Sequence, residues 1–358
     1  MIRRASINQQ EIADLLKISR TTVSRCFTNH AGINPETRAN VFAVAAKLGY
    51  HYLESRTQSP KAPAKKVKNT IAVLICSDVE EYMRPDYQSP GVELLPGISE
   101  FTLLKNLQLE IQFVPPTEKD TQQPTYRRLL RERSRAWAGI ILLYPFPQKV
   151  IEQLTAKFIC VSLVEQFGIQ SIDCVDVDHY KGISSLIDLL TAQGHRRIGF
   201  FSRHYVVEAS WAFRRYSAYV EKMTRIDLPF RTEDVISVRP GEDETIEQAE
   251  EHAYRMTKDG VTAWICAADH HAYDLIASLQ RRGLSVPKDV SVTGFDGIQK
   301  PQNAPELSTV QVPYRQIGFM GAKRLHDLMS KRFDATQHIL LEGGIRTGAT
   351  IGKPRAAA

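Results

Sequence analysis

The sequence predicts a small all-α head followed by an α/β core. Three short segments with helical apolar spacing and cap residues lie within the first 54 residues. From residue 70 to about residue 352, apolar strand-like runs alternate with helical patterns, which is typical of parallel sheets flanked by helices. A core of about 280 residues is large for one open sheet, so we expect two similar lobes.

The head has the caps expected of a helix-turn-helix. Asn8 and Glu11 have the spacing of a capping box, and Ser19 suits the N-cap of a second helix. A third helix is indicated by Asn34 followed by Pro35. The side chains expected to face inward are Ile12, Leu15, Leu16, Val23, Phe27, Val41, Val44, Ala45 and Leu48.

The second helix of the head is rich in side chains that form hydrogen bonds. They are Arg20, Thr21, Thr22, Ser24 and Arg25. A short polar helix after a tight turn is typical of a recognition helix that enters the DNA major groove, where arginine can pair with guanine. The side chains suited to phosphate contacts are Thr22, Ser24, Asn29 and Thr37. The alternative is a small helical bundle whose polar face is merely solvated.

The charge distribution favours DNA. Residues 1–68 contain twelve Lys and Arg against four acids, a net charge of +8, whereas the whole chain has +6. The remaining residues therefore carry about −2 in total, the difference between +6 and +8. Basic charge confined to one small module predicts a polyanionic partner for that module.

Other classes of protein find less support in the sequence. No apolar run is long enough to span a bilayer, and no signal-peptide core follows Arg3 and Arg4, so we expect a cytoplasmic, nucleoid-associated protein rather than a secreted solute-binding one. The five scattered cysteines favour free thiols.

The sequence also gives little support to catalysis. We predict no enzyme or cofactor, because P-loop, G-x-S-x-G and G-x-G-x-x-G motifs are absent. We predict no metal, because the adjacent His270 and His271 point to different helix faces. The alternative function is an α/β enzyme acting on a small polar metabolite, with the head serving only to localise it.

Several motifs together resemble one family. In the head these are TTVSR, NPETR and LGY, and in the core DHYKGISSLIDLLTAQGHRRIGF, DHHAYDLIASLQRRGLSVPKDVSVTGFDG and PELSTVQVPYRQIGFMGAKRL. With this order and spacing over nearly the whole chain, the sequence resembles the lactose-repressor (LacI/GalR) family. The resemblance implies a homodimer that binds double-stranded operator DNA. It also implies a core of two α/β lobes like that of periplasmic binding proteins. It further implies a repressor whose operator affinity is controlled by a small effector, a sugar or related metabolite, bound in a cleft between two lobes.

The resemblance also sets the expected domains. We predict the DNA-binding head at 1–54, a linker at 55–69 and the ligand-binding and dimerisation core at 70–352. Lobe 1 is expected at about 70–177 and 314–333, and lobe 2 at about 178–313 and 334–352. The linker departs from the family pattern, because Ser59 and Pro60 stand where a minor-groove leucine of a hinge helix is expected. Four lysines of the linker, which offer diffuse phosphate attraction instead, are Lys61, Lys65, Lys66 and Lys68.

Functional residues follow from the same resemblance. Arg20 and Thr21 match its specificity-setting positions, and Arg25 matches an arginine that contacts bases or phosphates. Candidate ligand-binding residues are Asp78, Tyr82, Tyr144, Trp211, Arg215, Asp269 and Asp296. Asp269 and Asp296 follow strand-like runs, where α/β proteins bind ligands. Three alternatives stay open at this point. Arg214 is the other match for the cleft arginine, Trp211 also suits core packing, and Asp78 suits a helix cap or loop.

Overall fold

A computed structural model describes residues 8–30, 32–48, 50, 69–82, 89–168, 171–203, 207–236, 245–331 and 335–355. The chain divides into two compact units. Unit 1 comprises Met1–Tyr82, Gly91–Val175 and Tyr314–Ile339, and unit 2 comprises Met83–Pro90, Asp176–Pro313 and Leu340–Ala358. We call the α/β part of unit 1 lobe 1 and unit 2 lobe 2. The divisions fall after Val175 and Ile339, two residues before and six residues after the predicted ones. The linker residues Ser59 to Lys68 lie outside the described residues.

Three helices form the head: α1 (Gln9–Leu16), α2 (Arg20–Phe27) and α3 (Pro35–Leu48). Both predicted caps are present. The Asn8 side chain accepts hydrogen bonds from the backbone N–H groups of Gln10 and Glu11, and Ser19 Oγ accepts one from the N–H of Thr22 at 3.0 Å. These bonds satisfy donors that a helix start leaves unpaired and so fix the turn between α1 and α2.

One predicted core residue of the head is wrong. Leu15 is 61% exposed, whereas Ile12 and Ala13 are fully buried. Successive residues of an α-helix are separated by about 100°, and the face of α1 that packs inward is centred between Ile12 and Ala13. Leu15 lies to one side of that face, so helical spacing alone placed it too far inward.

Two six-stranded sheets form the core. The strands of one are β1 (Thr70–Cys76), β2 (Gln108–Val114), β3 (Trp137–Leu143), β4 (Cys160–Leu163), β5 (Asp173–Val177) and β11 (His338–Leu341). Those of the other are β6 (Ile198–Phe201), β7 (Val235–Ile236), β8 (Ala263–Cys266), β9 (Ser291–Asp296), β10 (Ser308–Gln311) and β12 (Gly344–Arg346). The strand orders are β11-β5-β4-β3-β1-β2 and β12-β10-β9-β8-β6-β7. Strands β1 to β5 pair in parallel, as do β6 to β10, and β12 pairs antiparallel to β10.

Helices connect the strands. They are α4 (Val79–Tyr82), α5 (Pro90–Leu104), α6 (Pro124–Glu132), α7 (Gln148–Thr155), α8 (His179–Ala192), α9 (Ser210–Arg225), α10 (Ile246–Lys258), α11 (Asp269–Arg281) and α12 (Tyr314–Met329). Each lobe has an apolar cluster built from inward-facing strand and helix residues, centred on Trp137 in lobe 1 and Trp264 in lobe 2. None of the helices in the described ranges is long and apolar enough to cross a membrane. The predicted all-α head and parallel α/β core are confirmed.

Some elements were missed because their signals depend on tertiary partners. Strand β5 contains Asp173 and Asp176, yet both are buried. Asp173 accepts a hydrogen bond from the buried Arg324 at 2.6 Å, which satisfies the carboxylate. The sequence pattern predicts a helix over Ile98–Leu107, but helix α5 begins eight residues earlier, at Pro90, and contains Pro96 in its interior. Its prolines concealed the helical pattern, since proline normally ends a helix or bends it.

Candidate functional site

The recognition face of the head is presented by α2. Arg20, Thr21 and Arg25 are exposed, while Val23 and Phe27 of the same helix are buried against the other two helices. The Ser19 cap fixes the start of α2, and therefore the direction in which Arg20 and Thr21 leave the backbone. Two arginines and a threonine on one exposed helix can donate and accept hydrogen bonds at base edges.

The residues predicted to contact phosphates differ from one another in their hydrogen-bond partners. Thr22, Ser24 and Thr37 are half-buried, and the Thr22 hydroxyl lies 2.9 Å from Ser19 Oγ, so it takes part in the helix cap. Asn29 follows α2 in a left-handed backbone conformation with φ of 54°. Its amide nitrogen donates to the Leu107 carbonyl of lobe 1 at 3.1 Å, so this side chain faces lobe 1.

In lobe 2, a buried polar cluster surrounds Arg215. Its Nη1 donates to Asp296 Oδ1 at 3.2 Å and to the carbonyl of Ala267, and its Nε donates to His179 Nδ1 at 3.3 Å. The Arg215 Cζ atom lies 3.8 Å from the Phe295 ring centroid and 4.7 Å from the ring centroid of the half-buried Trp211. These contacts hold the guanidinium in one orientation at the carboxyl ends of β8 and β9, where parallel α/β sheets present ligand-binding groups.

His179 extends this cluster to a second carboxylate. Because its Nδ1 accepts from Arg215, its Nε2 carries the proton and donates to Asp176 Oδ2 at 3.0 Å. Burial on its own raises the pKa of Asp176. Electrostatic attraction and a hydrogen bond from His179, the Val177 N–H and Arg215 together outweigh burial and hold that pKa below its ordinary value. The row Asp176–His179–Arg215–Asp296 therefore alternates acceptors and donors, with Asp176 kept ionised.

Asp269 has a different environment from Asp296. It is fully buried, its Oδ1 accepts from the Thr309 hydroxyl, and its Oδ2 accepts from the N–H of Ile298 at 3.0 Å. Both oxygens thus bond to the protein, which favours a role in joining the start of α11 to β10 and to the segment after β9. Burial and the nearby Asp296 carboxylate raise the pKa of Asp269 to about 7.

The raised pKa of Asp269 predicts a pH-dependent contribution to stability. The folded protein binds the proton more tightly than the unfolded chain, whose Asp has a pKa of about 3.9. The contribution is therefore fully present below about pH 4 and lost as the pH rises through about 7. The difference in unfolding free energy between the wild type and Asp269→Asn should fall between about pH 4 and 7, by at most about 1.4 kcal/mol per pH unit, and level off above about pH 7. Urea denaturation at each pH measures it. The exposed Glu233→Gln is the control, and parallel profiles for wild type and Asp269→Asn would contradict the prediction.

Lobe 1 holds the remaining candidates. Tyr82 is buried, its ring lies 6.5 Å from that of Tyr144, and its hydroxyl finds no hydrogen-bond partner among the described residues. The Tyr144 hydroxyl accepts from the N–H of Gly91 at 2.7 Å, at the start of α5. Asp78 is exposed, and its carbonyl accepts from the N–H of Tyr82 in the first turn of α4. Asp78 thus precedes α4 and accepts its first backbone bond, which fits the alternative of a helix cap or loop residue.

The structure decides between two alternatives that the sequence left open. Arg215 enters the polar cluster of lobe 2 through its bond to Asp296, and the half-buried Trp211 lies beside its guanidinium. Sequence analysis missed Asp176, His179 and Phe295. A usable signal was present in V-D-V-D-H, because it puts an acid at the end of a strand and a histidine three residues later at a helix start. Across the described part of the chain, no group of three His, Cys, Asp or Glu side chains has a geometry suited to a metal.

Comparison with known proteins identifies the head and much of the core. A model of the lacI family of bacterial regulatory proteins matches residues 9–52, and a model of a periplasmic binding protein-like domain matches residues 187–351. The chain thus combines a lacI-family DNA-binding domain with a periplasmic binding protein-like domain. It is similar along its length to the HTH-type transcriptional regulator RegA of Clostridium saccharobutylicum, at 25% identity over 96% of this chain and 98% of the relative.

Solved structures have the same fold as this chain. The transcriptional regulator CelR–cellobiose complex has a TM-score of 0.65 at 19% identity and covers 96% of this chain and 99% of its own. The lac repressor dimer bound to operator and the anti-inducer ONPF has a TM-score of 0.62 at 19% identity and covers 97% and 99%. The lacI-family head and the similarity to regulators along the chain make the protein a DNA-binding transcriptional regulator, and they leave the solvated-bundle and enzyme alternatives without support.

Proposed function

We propose that the protein is a homodimeric repressor whose affinity for operator DNA is set by a small polar effector, a sugar, bound at the Arg215 cluster of lobe 2. The single observation that carries the ligand class is the combination of Arg215 and Asp296 with the flat ring of Trp211. Hydroxyl groups need donors and acceptors of this kind, while the apolar face of a sugar ring stacks on an aromatic side chain. The relative whose structure contains cellobiose supports the same class.

The dimer explains how one short recognition helix can specify a site. Two heads related by twofold symmetry bind two half-sites of a pseudo-palindrome, and the spacing follows from the dimer. Each head adds its own phosphate contacts, so affinity and salt dependence both increase. We propose that this assembly acts on the nucleoid in the cytoplasm. The effector changes operator affinity only to the extent that it binds the two conformations of the regulator unequally.

An operator titration tests the DNA half of the proposal. Duplexes selected from a random library by the full-length protein are titrated by fluorescence anisotropy at several salt concentrations. Because the net charge of +8 is concentrated in residues 1–68, we expect log K to fall steeply with log salt. A flat plot would contradict phosphate binding by these residues. Equal affinity for selected and scrambled duplexes would contradict sequence-specific recognition.

A thermal-shift screen tests the effector half. Neutral sugars, sugar phosphates and nucleobases are added to the wild type and to Asp296→Asn. A true effector at about 100 times its Kd stabilises the protein by about 2.7 kcal/mol, and we expect a neutral sugar to give that shift in the wild type only. A shift from sugar phosphates or nucleobases alone would overturn the proposed class. Repeating the operator titration with the active compound then gives the direction of regulation.

A further inference from the structure

Two residues of the head outside its recognition helix, Asn29 and Arg38, contact lobe 1. Arg38 of α3 reaches the C-terminal end of α5, where its Nη1 donates to the Thr102 hydroxyl at 2.8 Å and to the Ser99 carbonyl at 3.2 Å. Its Nη2 donates to the Leu107 carbonyl at 3.4 Å and to the Asn29 side chain. Asn29 in turn donates to the same Leu107 carbonyl. Two head side chains and the α5–β2 corner thus form one hydrogen-bonded interface.

Burial sets Arg38 apart from the other arginines of the head. Arg38 is fully buried, whereas Arg20 and Arg25 are exposed. In the described part of the chain its hydrogen-bond acceptors are all neutral oxygens, and its guanidinium lies 5.0 Å from the Phe42 ring centroid. The partial negative charge at the end of α5 offsets part of the cost of burying this cation. A cation placed in this way is unavailable to phosphates and serves the contact between head and lobe.

Docking leaves the recognition face free. Arg20, Thr21 and Arg25 stay exposed while Asn29 and Arg38 are engaged with lobe 1. The docked head can therefore meet DNA without first leaving the lobe. A head held in one orientation also loses less rotational freedom on binding than one attached only by a linker.

We propose that the Arg38–Asn29 face docks the head on lobe 1 of its own chain and pre-orients it for operator binding. The inference rests on the proposed function and adds a route by which the core acts on the head. This contact is independent of the linker, in which the leucine expected for a hinge helix is replaced. Loss of the contact frees the head and weakens the operator complex.

A double-mutant cycle on the full-length protein tests the contact. Arg38→Gln alters the head, and Thr102→Val removes the hydroxyl acceptor from lobe 1 without changing the head. We expect Arg38→Gln to lower operator affinity about tenfold. Thr102→Val should lower it in the same direction, and the double variant should lose less than the two single losses combined, because both remove one interaction. Thr102→Ser retains the hydroxyl and should bind as the wild type does.

The salt dependence separates docking from direct DNA contact. A lost phosphate contact lowers the log–log slope by about 1, whereas a lost docking contact leaves the slope unchanged. We expect an unchanged slope for Arg38→Gln and Thr102→Val. A reduced slope, fully additive losses, or tighter operator binding by the variants would each overturn the proposal.

Hydrogen exchange tests docking without DNA, so that failure of docking is distinguishable from failure of the proposed function. We expect Arg38→Gln and Thr102→Val to speed amide exchange in residues 99–107, while the exposed Arg20→Gln leaves it unchanged. Unchanged exchange in both docking variants would overturn the docked head even if the wild type binds operator. Faster exchange in the two docking variants than in the wild type, together with a wild type that binds no duplex, would uphold docking and contradict the proposed function. If Arg38→Gln unfolds the head, Thr102→Val alone decides the outcome.

Discussion

Arg215→Ala is expected to lower the free energy of unfolding by about 3–5 kcal/mol, because it removes one partner of a buried ion pair. The Asp296 carboxylate, only 5% exposed, would then lose its ion pair with Arg215, and His179 would lose the donor to its Nδ1. Urea denaturation of the purified full-length protein measures the loss. The same variant should lose the thermal shift caused by the effector, since the guanidinium is also the proposed donor to effector hydroxyls.

The chain contains a matched control for this substitution. Arg214 is adjacent in sequence and half-buried, whereas Arg215 is the arginine that pairs with Asp296, so Arg214→Ala should cost less than about 1 kcal/mol. Arg215→Lys keeps the charge and loses the planar fork and the stacking on Phe295, so its unfolding free energy should lie between those of the wild type and Arg215→Ala. Equal losses for Arg214→Ala and Arg215→Ala would contradict the central position of Arg215.

Arg20→Ala is expected to relax base preference by about 1–3 kcal/mol per head, the usual discrimination of one bidentate arginine contact. Arg20 is the first residue of α2 and is exposed, so its side chain is free to enter the major groove. Non-specific binding should fall much less, because it depends on the total phosphate contacts. Binding to the selected operator and to duplexes with single base changes measures the preference at each position.

Lys47→Ala is the control for charge alone. Lys47 is exposed near the end of α3, outside the recognition helix, and its removal takes the same single charge from the head. It should weaken specific and non-specific binding equally and leave the base preference unchanged. An equal loss of specific and non-specific affinity in Arg20→Ala would contradict direct readout by this residue.

The head was predictable because its signals are local. Caps such as Asn8 and Ser19 act on backbone groups two or three residues away, so their sequence positions define the helix starts. The error at Leu15 arose where packing direction, rather than spacing, decides burial. Asn29 is a second residue whose contacts depend on packing rather than on its local sequence. Its polarity and position predicted a phosphate contact, yet its amide is bonded to Leu107, 78 residues away in sequence.

The polar cluster of lobe 2 was only partly predictable. Strand ends identified Asp269 and Asp296 as chemically similar candidates, since each acid follows an apolar run. Their environments differ in ways that no local pattern records. Asp269 is closed off by Thr309 and the Ile298 N–H, whereas Asp296 pairs with Arg215. The distinction between a residue that supports a corner and one suited to a ligand depends on contacts across three strands and two helices.

By itself, the sequence determined the class of this protein: a basic helix-turn-helix head, a parallel α/β core, and membership of a family of regulators that its ordered motifs resemble. Caps, apolar periodicity and net charge act over a few residues, or add up regardless of folding, and so can be read without coordinates. Only the tertiary structure decided that Arg215 rather than Arg214 joins Asp296, and that Arg38 lies buried against lobe 1. These outcomes depend on desolvation and hydrogen bonding between residues distant in sequence, which are fixed when the chain packs.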